Sequence, residues 1–377
     1  MNSKITTIIV LTIAIIYGCV GVKNTESESS IMVQNDELKS ELIDSSIFRK
    51  SHFVALETNE NSIIRKINRI CCDENHFFVL DKTLNKIISF DKSGKFLNCI
   101  QKTGQGQGEY ISLMDFCVDT VRNQILALCD KPYKIITFSY SGDFIAEKRL
   151  DDLYFNIVTD GKNIYCNRSE IGSYPNNTHE IDCFSLDLET KQSFLALRTN
   201  IQNSFFTKGN QLNSTLNNYY TRRFDTNIYK LDNDKISIKY CFDFGKHSIP
   251  GADLENAIQD NIMNQIKEKK LVYSITDVVE SAKYLLFNTN VAIYLYNKTS
   301  KELIGFKTIA NNEIKLNSNS YFPLNNGKMI VTTISSNLLF EINKTAKNNI
   351  KFNNKALLNL AQKVKLEDNP LLIVYEF

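Results

Sequence analysis

The sequence predicts an all-β fold, a six-bladed β-propeller with one helical insertion between its fourth and fifth blades. Three observations predict it. First, a three-strand meander recurs: FFVLDKTLNKIISFDKSGKFL (77–97) aligns, with one gap, on ILALCDKPYKIITFSYSGDFI (125–145). Lys86-Ile87-Ile88 falls on Lys134-Ile135-Ile136, Phe90 on Phe138, and Ser93-Gly94 on Ser141-Gly142. Second, the aromatic positions Phe90, Phe138, Phe184 and Tyr229 lie 48, 46 and 45 residues apart, the length of a four-stranded blade with its link. Third, apolar strands flank the repeats, HFVALET (52–58) and LLIVYEF (371–377). There one chain end can complete a blade begun by the other.

Taken in order, residues 1–18 form a signal peptide: Lys4 is followed by an apolar run, Ile5 to Ile16, too short for a comfortable membrane span. Gly18-Cys19 then resembles the bacterial lipoprotein box, in which the thiol is acylated and the chain is cut before it. An ordinary export signal is the alternative. Residues 19–45 are polar and without period, and are expected as a flexible tether. The propeller takes 46–377. After the two strong repeats come fainter ones at 163–197, 217–242, 283–306 and 327–349, the last reading GKMIVTTISSNLLFEINKTAKNN. The interval before the fifth copy is stretched by GADLENAIQDNIMNQIKEKKL (251–271), where Leu254, Ile258, Ile262 and Ile266 recur at fours. That period is helical. A short helix, ALLNLAQKV (356–364), precedes the terminal strand.

The chemistry-bearing residues are sparse. With 44 basic and 42 acidic residues and a net charge of +2, nothing marks nucleic acid as a partner. Eight cysteines besides Cys19 sit mostly inside apolar strand-like runs, which makes them buried free thiols rather than disulfides. His52, His76, His179 and His247 have no metal-ligand spacing, so no metal and no cofactor is expected. No catalytic motif is legible. GQGQGEY (104–110) lacks the strand-and-helix context and the glycine spacing of a dinucleotide loop. Gly104, Gly106, Gly108 and Tyr110 instead form a link between blades. One constellation stands out: Arg222 and Arg223 beside Tyr219 and Tyr220, placed to grip a carboxylate or sulfate and stack on a sugar at the tunnel mouth. Packing of these side chains between blades is the competing reading.

The link and the blade after it, Gly104, Gly106, Gly108, Tyr110, Val118-Asp119, Leu126 to Asp130 and Lys134 to Phe138, resemble an NHL-type propeller repeat. The whole chain looks like the six-bladed propeller lipoproteins of Bacteroides and its relatives. Shared features are the lipoprotein box, Ala-Leu-Glu-Thr (55–58), the GQGQGEY link, DTNIYKL (225–231), FDFGK (242–246) and DNPLLIVYEF (368–377). The resemblance implies a lipid-anchored protein of the cell envelope, at the outer membrane. The leading functional expectation is a binding or scaffold protein for a glycan, a small polar ligand or an envelope protein. A propeller enzyme (lyase, lactonase or glycan-cleaving hydrolase) is the rival, and docking into an envelope complex through the 251–271 helix is a third reading.

Overall fold

The computed structural model describes residues 30–33, 37–168, 178–198, 207–233, 235–249, 262–324, 327–347 and 355–377. The chain begins with β1 (Ile31–Met32), β2 (Lys39–Ile43) and β3 (Lys50–Ala55). Blade one is β4 (Arg69–Cys72), β5 (His76–Asp81), β6 (Lys86–Asp91) and β7 (Phe96–Ile100). Blade two is β8 (Ser112–Asp119), β9 (Gln124–Lys131), β10 (Tyr133–Ser139) and β11 (Phe144–Arg149). Blade three is β12 (Tyr154–Thr159), β13 (Ile164–Arg168), β14 (His179–Phe184) and β15 (Thr190–Ala196). Blade four is β16 (Leu212–Ser214), β17 (Asn218–Thr221), β18 (Asn227–Asp232) and β19 (Lys235–Asp243), followed by helix α1 (Ile262–Lys269). Blade five is β20 (Ile275–Glu280), β21 (Tyr284–Thr289), β22 (Ile293–Asn297) and β23 (Glu302–Ala310), with β24 (Asn317–Ser318) paired to its outer strand. Blade six is β25 (Phe322–Pro323), β26 (Met329–Ile334), helices α2 (Ser336–Lys347) and α3 (Lys355–Ala361), then β27 (Leu371–Glu376).

Each blade is an antiparallel sheet laid out in chain order, and β3 supplies the fourth strand of blade six. The innermost strands β4, β8, β12, β16, β20 and β25 approach one another in succession, and β25 comes back to β4. That closes the ring. The seam is sealed by antiparallel pairing of β3 with β27 from Ala55–Leu371 to Lys50–Glu376. Asn369 ties the two ends further: its amide donates to the carbonyls of Glu57 and Ser62, both at 2.9 Å, and accepts the Ile64 N–H at 2.8 Å.

Stacking of blades explains why the middle strands read as continuous apolar runs. Both faces of β5 are covered, so five of its six residues are buried. The outer strand β11, Phe-Ile-Ala-Glu-Lys-Arg, has none buried. Between blades one and two, Phe78, Leu80 and Ile87 pack against Phe116, Val118, Ile136 and Phe138. Each such side chain contributes about 1.5–3 kcal/mol on leaving water. The repeated Ser-Gly turn also has a packing cause. Gly94 has φ +91°, and a Cβ there would stand 2.1 Å from the Ala55 carbonyl oxygen of the preceding outer strand. Gly142, at φ +84°, lies likewise against Asn98 of blade one. Only glycine combines that φ with that approach.

Three details differ from the sequence reading, and a fourth is described only in part. Residues 19–45 are not tether throughout: β1 pairs in parallel with β19 and β2 with β23, as fifth strands on blades four and five. These segments escape periodicity because an edge strand buries little; in β2 only Leu42 is buried. In the sixth copy, SNLLFEINKTAK is helix α2, and the third strand comes from Leu371–Glu376. The blade-four counterpart of Phe90, Phe138 and Phe184 is Leu231, not Tyr229, since each precedes the residue that opens the outer turn: Asp91, Ser139, Ser185 and Asp232. Within 251–271, α1 holds Ile262–Lys269 with Ile266 buried, while 250–261, including Leu254 and Ile258, lie outside the described residues. So do residues 1–29 with Cys19. No described helix is long and apolar enough to cross a membrane.

Candidate functional site

The four residues singled out as a ligand grip are divided between two blade interfaces. Tyr219 and Tyr220, neighbours on β17, point to opposite sides and are fully buried. Tyr219 donates its hydroxyl to Glu280 between blades four and five. Tyr220 donates to Glu180 between blades three and four at 3.0 Å. Arg222 closes on the same Glu180 carboxylate, with Nη2 at 2.6 Å and Nε at 3.2 Å. Arg223 is buried, and its carbonyl accepts from Arg198 Nη2 at 2.6 Å. The fork of Arg222 is therefore occupied by the protein's own carboxylate. Glu180 stands at the repeat position of Lys86 and Lys134, whose ammonium groups reach the Asn61 and Gly106 carbonyls of the preceding links. The sign change at that one repeat position accounts for Arg198 and Arg222 converging on this carboxylate.

The glycine link is held internally as well. Glu109 accepts the Gly106 N–H at 2.9 Å, and a Cβ on Gly104 would collide with the same carboxylate at 2.0 Å. Gly108 donates to Glu147, which Lys134 grips at 2.7 Å. Tyr110 is buried and donates to the carbonyls of Ile100 and Asn85.

The polar centre lies on the axis. In blades one, two, three and five, one polar side chain interrupts the first strand four residues before the inner hairpin turn: Arg69, Asp115, Asn156 and Asp277 precede Asp73, Asp119, Asp160 and Ser281. Arg69 pairs with Asp115, which also accepts the Ile157 N–H at 3.0 Å. Asn156 donates to Asn210 at 3.2 Å. Asp277 donates its N–H to the Asn210 carbonyl at 2.9 Å, and its carboxylate accepts the Asn210 N–H at 2.9 Å and the Asn288 amide at 3.0 Å. Beside these groups lies a small cavity of about 10 Å³ bordered by Arg69, Asn210, Asn213, Ser214 and Phe322, room for about one water. Asp277 sits in a bulge of β20 at φ +52°, and Gly209 packs against its carboxylate. Burial pushes the Asp277 carboxyl up, only partly offset by the N–H donors of Asn210 and Asn288. Sequence reasoning passed over these residues. The available signal was a lone polar residue at one repeat position of the first strand.

A second space opens where the inner hairpins of blades two, three and four converge. This cleft, about 290 Å³, is lined by Asp119, Thr120, Val121, Asp160, Gly161, Thr215, Leu216, Asn217, Lys230 and Asp232, among others. Among the described residues, no group of three or more His, Cys, Asp and Glu is placed to hold a metal ion. The eight described cysteines are free thiols, six of them buried; burial pushes the Cys72 thiol up to about 12.

The family described as a domain of unknown function, DUF4934, matches residues 28–376. The chain belongs to that family. The match begins ahead of β1, so the DUF4934 unit takes in the edge strands as well as the ring. This DUF4934 chain is similar in structure to a Bacteroides fragilis protein described as exported. That pair shares 20% identity over 93% of this chain and 100% of that one, with a TM-score of 0.73. A member of the DUF4221 family from Bacteroides vulgatus aligns over 88% of this chain and 97% of its own, at 10% identity and a TM-score of 0.46. No curated protein matches the sequence.

Proposed function

We propose that this DUF4934 chain is a lipid-anchored binding propeller of the bacterial cell envelope, held through Cys19 at the outer membrane and presenting the inner-hairpin face to a small polar ligand or partner. One observation carries the reading. The polar side chains of the inner strands pair with one another, whereas a polar cleft of about 290 Å³ stands open between three hairpins. That volume is close to the lower end of small-molecule sites, about 300 Å³. The carboxylates Asp115, Asp182, Glu180 and Glu280 each have a cation or hydroxyl donor in place, which suits a scaffold better than a set of poised acids. The lipoprotein box at Gly18-Cys19 supports the anchor, and the order of link and blade residues supports the NHL-like repeat. The test has two arms. Fatty-acid labelling of the full chain in a bacterial host should be lost with Cys19→Ala. A glycan and metabolite screen on a soluble form beginning at residue 30 should give saturable binding sensitive to substitutions in the cleft. Unlabelled wild-type chain or no such binding overturns the corresponding half.

The rival, a propeller enzyme of the lyase, lactonase or glycan-cleaving kind, is favoured by Asp277, a buried carboxyl in a strained backbone beside the axis. Turnover abolished by Asp277→Asn with the ring intact would establish it.

A further inference from the structure

The cleft between the inner hairpins has a donor and acceptor pattern that names a class of ligand. Asp119 and Asp160 each accept two backbone N–H groups of their own turn through Oδ1. Oδ2 of Asp119 is held by Arg122 at 2.7 Å, while among the described residues Oδ2 of Asp160 receives a long bond from the Tyr165 hydroxyl at 3.3 Å. Across the cleft, Lys230 Nζ and Asp232 Oδ2 stand 3.1 Å apart, a donor beside an acceptor. Thr120, Ser214 and Asn218 add hydroxyl and amide groups. An anion would face three carboxylates and a single lysine. A compact cation would find two of those carboxylates already paired with Arg122 and Lys230. What remains is hydrogen-bonding capacity around one carboxylate, Asp160, that can accept from a hydroxyl.

The rim supplies a second, independent observation. Val121 and Leu216, at the hairpin tips of blades two and four, are 73% and 59% exposed, among the most exposed large apolar side chains of the described residues. Both border the cleft, and Gly161 between them keeps the wall low: a Cβ there would touch Val121 at 3.0 Å. Aliphatic groups left in water at the edge of a polar cleft fit a ligand with one C–H face and a hydroxylated edge.

We propose that the cleft binds a neutral, hydroxyl-rich ring, a single sugar unit of a glycan. Its vicinal hydroxyls meet Asp160, Lys230 and Asp232, because each hydroxyl both donates and accepts, and its C–H face lies on Val121 and Leu216. The assignment rests on the binding-face reading above and names the ligand class for it. At about 290 Å³ the site holds one ring, with the rest of a chain running out over the hairpins.

The experiment uses the soluble form from residue 30, titrated by calorimetry and saturation-transfer NMR. Probes are methyl glycosides of neutral hexoses and N-acetylhexosamines, with a primary amine and inorganic phosphate as controls. Saturable binding of a neutral glycoside, weakened about tenfold by Lys230→Ala and by Leu216→Ser with unchanged thermal melts, is expected. If only the amine or phosphate binds and Leu216→Ser still weakens it, the ligand class is wrong while the binding face stands. If no probe responds to either substitution, both the class and the face are overturned.

Discussion

Four donors converge on Glu280: the hydroxyls of Tyr219 and Tyr240, the Asn217 amide at 2.9 Å and the ammonium of Lys298 at 3.0 Å. Burial alone lifts this carboxyl, but the donors bring it below its ordinary 4.5. A carboxyl that titrates lower when folded stabilises fully above the unfolded value and loses that contribution as pH falls through the folded one. Glu280→Gln is therefore expected to flatten the acid limb of stability below pH 4.5 in urea unfolding; an unchanged slope would count against it. Arg222 gives a second test at this scale. Arg222→Ala takes the nearest cation from the buried Glu180 and should cost about 3 kcal/mol, with a Glu180→Leu partner recovering part of it in a double-mutant cycle. Sequence spacing found Arg222 but not its role, because the role depends on Glu180, 42 positions away in the chain. The turn acids were easier to read. Asp73, Asp119 and Asp160 each fold onto two N–H groups within the next three residues, so their chemistry is local.

Elements with two buried faces were legible as apolar runs, and elements with one were not. β5 and β9 stand out in the sequence because neighbouring blades cover both sides. β2 carries Lys39, Ser40 and Glu41 on an outer edge and could be found only from its partner β23. α2 misled for a related reason: Leu339 and Ile342 pack with blade six at helical spacing, yet the run begins directly after a true strand. The edge strands lead to a prediction of their own. Starting the chain at residue 46 removes β1 and β2 and bares the outer edges of β19 and β23. Unpaired edges recruit other chains. That form should self-associate on size exclusion with light scattering, whereas the form from residue 30 should run as a smaller species. Equal elution would argue that the edges are inert.

Over the whole molecule, the number of blades was readable because each copy repeats the same burial problem, and closure was readable because two unpaired apolar strands flanked the repeats. The edge on which each end sits was not, since it depends on pairing across more than 300 residues, as between Ala55 and Leu371. Ring closure predicts that the six blades melt together. Removing residues 368–377 takes away β27 and with it the partner of β3. That form should show no cooperative thermal transition, and Asn369→Ala, which frees three backbone groups at the seam, should lower the melting temperature while keeping a single transition. Two resolved transitions in the intact chain would contradict the closed ring. The strap formed by β1 and β2 has a mechanical consequence. Tension applied at the amino end meets the two-residue β1 first, then the five-residue β2, and reaches the sealing strand β3 only afterwards. Peeling residues 30–49 releases roughly 60–70 Å of slack before any propeller sheet loses a strand of its own four. In an optical trap this should register as small early extensions preceding one large rupture, so that a protein hung by that end yields at its margin and keeps its ring.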